Sequence, residues 1–129
     1  DLKLGAVHGF AGALGGRTAA AHGAICGCLL PHVVKTNIEI LQATDAPMLT
    51  RYREVAVMLT GSSEADVKDL VDWIESIVRD FEIPTLSALG LASSDIEAVA
   101  LQSEKSSSMK GNSVQLTHAQ RVQILEAAY

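Results

Sequence analysis

Apolar residues recur at three- and four-residue steps along most of the chain, and no segment alternates as a half-buried strand would. Leu4 to Leu14 is apolar almost all round, through Val7, Phe10, Ala11 and Leu14, and predicts a buried helix. Gly9 and Gly12 lower its propensity but permit close approach of another group. Gly23 to Asn37 predicts a second apolar helix. Pro31 should kink it rather than break it, because the pattern resumes at Val33 and Val34. Pro47 to Leu59 carries a stripe of Met48, Leu49, Tyr52, Val55, Ala56 and Leu59, closed by Gly61. The strongest stripe follows, through Val67, Leu70, Val71, Ile74, Ile77, Val78 and Phe81, with Trp73 beside it. Ser63, with Asp66 three residues on, reads as its cap, and Ile83-Pro84 as its end.

Beyond a turn at Thr85 to Leu89, Ser94 and Glu97 read as a capping box for a helix reaching about Lys105. Ser106 to Ser113 reads as a polar loop. Thr117 with Gln120 then caps a last helix that uses Val122, Ile124, Leu125 and Ala128. The expectation is an all-α helical bundle of six or seven helices, forming one domain over residues 1–129.

Composition narrows the picture. The chain is 48% hydrophobic but only 4% aromatic, so its core is aliphatic and alanine-rich, which suits close helix packing. Net charge is −5 with no basic stripe, which argues against nucleic-acid binding. No run reads as a membrane span, and no secretion leader is visible. Two cysteines without a disulfide framework fit a cytoplasmic compartment. The chain opens at Asp1, almost inside an apolar segment, and reads as a fragment or trimmed piece.

Among four histidines, His8 and His22 stand fourteen residues apart in LGAVHGFAGALGGRTAAAHG. Imidazole is the commonest metal ligand. One unbroken helix would separate the two by about 21 Å, too far for nitrogens each about 2 Å from a shared ion. A shared ion therefore requires a reversal, and Gly15-Gly16 is where a left-handed helix ending would be placed. Packing or surface roles are open for both imidazoles. Cys26 and Cys28, at i and i+2 on a helix, point apart and cannot chelate one ion together; they read as small hydrophobes. His32 and His118 read as structural, and Asp66, Asp69 and Asp72 as surface carboxylates. Gly12-Ala-Leu-Gly-Gly16 lacks the strand and lysine of a phosphate loop.

The segment LGAVHGFAGALGGRTAAAHGAICGCLLPHVV resembles the iron-containing (group III) alcohol dehydrogenases, whose pattern is approximately GxxHxxxHxLGxxxxxxHGxxxxxLLPHV. The matches are His8, Leu14-Gly15, His22-Gly23 and Leu29 to Val33. Phe81 to Gly90 is similar to the family's lgiPxxLxxlG stretch. Met109 to Asn112, then Leu116-Thr117 and Ile124-Leu125, is similar to its C-terminal GNPxxLT…IL ending.

The resemblance implies the helical C-terminal domain of a dehydroquinate synthase-like architecture, with an N-terminal NAD(P)-binding domain outside this chain. It implies a divalent metal, Fe2+ or else Zn2+, held by His8, His22 and two upstream ligands. It implies hydride transfer between a small alcohol or aldehyde and NAD or NADP. The fragment alone should then be inactive, and the whole enzyme a homo-oligomer acting without nucleic acid or membrane. Two departures stand out. Gly12 takes the place of a second histidine near substrate and nicotinamide, and Ser113 that of a proline, which should loosen its loop. Ser108 is a further candidate for the substrate wall. Two other readings are a metal-free oxo-acid reductase of the same superfamily and a stand-alone helical interaction module.

Overall fold

A computed structural model describes residues 2–44 and 46–129. Among these, seven α-helices form in order: α1 (Gly5–Gly15), α2 (His22–Thr44), α3 (Ala46–Thr60), α4 (Val67–Asp80), α5 (Ile96–Glu104), α6 (Ser107–Lys110) and α7 (His118–Ala128). A single 3₁₀ turn, Ser93–Asp95, precedes α5. The only extended pairing among the described residues is an isolated bridge between Leu4 and Asn112. The fold is all-α.

The long helix α2 organises the rest. It packs against α1 and α7 and against α3 and α4. One core gathers Phe10, Leu14, Ile25, Leu29, Val99, Ile124 and Leu125, among others. The second gathers Val34, Ile38, Leu41, Tyr52, Leu70 and Ile74. Pro31 sits inside α2, buried, and the helix runs through it unbroken. By length and composition α2 could cross a membrane, which the apparent interruption at Pro31 conceals in the sequence. Half of its most apolar window is buried against the other helices.

Four sequence expectations need correction. Asp66, not Ser63, caps α4. Its carboxylate accepts from Val67 N–H at 2.7 Å, and Asp69 accepts from Asp66 N–H at 2.8 Å. A carboxylate at this position also opposes the positive end of the helix. The same helix stops at Asp80. Ile83 N–H bonds back to the Val78 carbonyl and Glu82 N–H to that of Arg79, with Glu82 at φ 52°. That is a Schellman ending with a non-glycine in the left-handed position. It turns Phe81 out of the stripe to 73% exposure. Ser94 makes no capping bond; the chain enters α5 through the 3₁₀ turn instead. The segment expected as loop after Ser106 contains α6, capped by the Ser106 hydroxyl. The Thr117–Gln120 capping box forms as expected.

Candidate metal centre

α1 buries Val7, Phe10, Ala11 and Leu14 and turns His8 and Gly12 outward, one helical turn apart on the same face. The chain reverses after Gly15, and α2 begins at His22. The reversal does not use a left-handed glycine. Gly16 caps α1 at φ −82°, and Arg17 and Thr18 N–H groups both bond the Leu14 carbonyl. These last bonds tighten the end of the helix without a positive φ. The two imidazoles end up nearly parallel, with centroids 5.9 Å apart and planes 13° apart.

Cys26 completes the group. It lies one turn beyond His22 on α2, and its Sγ is 3.4 Å from His22 Nε2. One donor atom from each of His8, His22 and Cys26 lies within 4.8 Å of the others. On a tetrahedral ion, a nitrogen and a sulfur donor are about 3.5 Å apart, so the His22–Cys26 separation already suits shared coordination. Both imidazoles are exposed and Cys26 is half-buried, so the donors face outward. Partial burial raises the Cys26 thiol pKa.

The structure brings His8 and His22 together, as a shared ion would require, and sets Cys26 beside them. The signal for Cys26 in the sequence is its i, i+4 spacing from His22. Cys28 is buried, donates to the Ala128 carbonyl at 3.4 Å, and has its pKa pushed up to about 11, chiefly by burial. His32 is half-buried on α2, and burial lowers its pKa. His118 pairs with Glu97.

A Cβ built on Gly12 would meet nothing within 4 Å, so an imidazole has room there. Gly12 borders a groove of about 240 Å³ with Gly9, Ala13, Gln102, Lys105 and Ser106. Ser106, rather than Ser108, lines that groove; Ser108 lies exposed on α6.

Behind the site, close backbone packing holds α1 in place. A Cβ on Gly5 would come within 2.1 Å of the Ser108 carbonyl oxygen, and one on Gly9 within 3.0 Å of Met109. Asn112 anchors the same seam. Its Oδ1 accepts from Ala6 N–H at 3.3 Å and from Asn37 Nδ2 at 3.0 Å, and its Nδ2 donates to Asn37 Oδ1 at 2.8 Å. The Ser113 hydroxyl lies 2.7 Å from the Tyr52 hydroxyl. Ser113 therefore ties down by hydrogen bond a loop expected to be loose. Arg121, also unforeseen, is buried and donates to the carbonyls of Ala100 and Leu116 while pairing with Glu104.

Comparison with known proteins bears on the family and the fold. A family model described as the C-terminal part of the Fe-containing alcohol dehydrogenases matches residues 1–129. Alcohol dehydrogenase 4 of Saccharomyces cerevisiae is 32% identical over 130 residues, covering 100% of this chain. The chain spans 32% of that relative's length. A crystal structure of 1,3-propanediol oxidoreductase superposes with a TM-score of 0.81 at 24% identity, over 96% of this chain and 32% of that one. An iron-containing alcohol dehydrogenase from Thermococcus thioreducens superposes with a TM-score of 0.71 at 20% identity, over 99% and 31%.

Proposed function

Because this chain belongs to the Fe-containing alcohol dehydrogenase family, as its C-terminal helical part, we propose that it supplies His8 and His22 to the metal of an NAD(P)-dependent alcohol dehydrogenase. The observation that carries this reading is the convergence of the two imidazoles across the α1–α2 reversal. The donor set fits a divalent ion, since neutral imidazole binds iron and zinc alike. Such an ion, held by His8 and His22, would supply Lewis acidity toward an alcohol or carbonyl oxygen, and a bound nicotinamide would supply the hydride chemistry.

This chain's own part is to hold and shape. α1 and α2 fix His8 and His22, with the Gly5–α6 seam and the Asn37–Asn112 pair setting α1 from behind. The donors face outward, which leaves room for the two upstream ligands. Gly12 offers no imidazole beside His8, so any proton leaving the substrate must pass by another group or by water. The same gap admits a bulkier substrate than a histidine there would.

Metal analysis of the full-length protein tests the reading. His8→Ala and His22→Ala should each weaken metal binding by about 100-fold or more and remove alcohol-dependent reduction of NAD or NADP. The 129 residues alone should show no turnover. Full metal content in a His8→Ala/His22→Ala double variant would overturn the assignment.

A further inference from the structure

The His8–His22–Cys26 cluster carries a consequence beyond a two-imidazole contribution. We infer that Cys26 is a third metal donor from this chain, giving a two-nitrogen, one-sulfur set. The inference rests on the metal reading above. It stands on where the Cys26 sulfur lies relative to the two imidazoles. Cys26 Sγ is within 3.4 Å of His22 Nε2, near the tetrahedral edge expected for shared coordination. Its donor atom belongs to the same group as those of both imidazoles, with all three within 4.8 Å of one another. It is half-buried at the edge of the first core, with its sulfur beside His22 rather than enclosed.

Cys28 provides the contrast. Two residues on, it faces into the core, and its sulfur is engaged by the Ala128 carbonyl. The helix thus presents one sulfur to the site and hides the other. On coordination Cys26 loses its thiol proton to solvent and binds as thiolate. Thiolate is a soft donor of the kind that suits zinc.

Cobalt(II) makes the sulfur visible. The full-length protein is stripped with a chelator, loaded with cobalt(II), and its absorption spectrum recorded. The expected result is a set of visible d–d bands together with a near-ultraviolet thiolate-to-cobalt charge-transfer band. Cys26→Ser should abolish the charge-transfer band while keeping the d–d bands, and Cys28→Ala should leave both in place. Circular dichroism of each variant verifies the fold. Visible bands without the charge-transfer band, or a band that survives Cys26→Ser, would overturn the Cys26 assignment and leave the imidazole pair standing. No cobalt spectrum at all would overturn the metal reading and the Cys26 assignment with it.

Discussion

The two halves of this bundle are held together by opposite means. Around α3 and α4, side chains fill the space: Leu70, Ile74, Tyr52 and Ala56 interdigitate in a regular stripe. Around α1 and α6, the absence of side chains lets backbones touch, as at Gly5 against Ser108 and Gly111. Paired amides then fix the seam. The first half tolerates gaps poorly, and the second tolerates additions poorly. The donor cluster belongs to the second half, where α1 is positioned by contacts that leave its outer face bare.

The sharpest way to break this contrast is to add one methyl group. Gly5→Ala places a carbon against backbone atoms that cannot rotate away, and should cost about 3 kcal/mol or more, read as a lower denaturant midpoint. A neutral effect would show that the seam is looser than its distances imply. In the other half, removing atoms should hurt by a similar but slightly smaller amount. Leu70 is fully buried, and Leu70→Ala should cost about 3 kcal/mol. If Leu70→Ala proves silent, the stripe is not what holds α4. The smallest effect distinguishes two glycines on one helix. Gly12→Ala meets nothing and should stabilise the chain by about 0.5–1 kcal/mol, raising Tm where Gly5→Ala lowers it. A destabilised Gly12→Ala would place an unseen contact on that face.

The same contrast decides how much of the molecule could be read from its sequence. The α3 and α4 stripes are periodic, so those helices were legible, and α4 was misplaced only at its ends. Ser63 and Asp66 are both good caps, and pattern alone does not choose between them. The ending at Glu82 depends on a positive φ that sequence marks only at glycine or asparagine. In the seam, Gly5 and Asn112 act through partners about a hundred residues away, which no local window contains. The approach of His8 and His22 was legible from their spacing and the glycines between them. Cys26 is less visible, because its nearer neighbour in sequence is Cys28 and its partner His22 lies one helical turn back. Asn37 and Arg121 read as ordinary polar residues; only the fold shows them buried and bonded.

The bareness of the donor face also bears on how such a site changes over generations. His8, Gly12 and His22 are all exposed and contribute little to either core. Substitutions there spend almost none of the fold's stability margin, which is what usually limits the accumulation of functional change. Chemistry at this surface can therefore drift, swapping a donor or filling a gap, while the glycine seam behind it stays fixed.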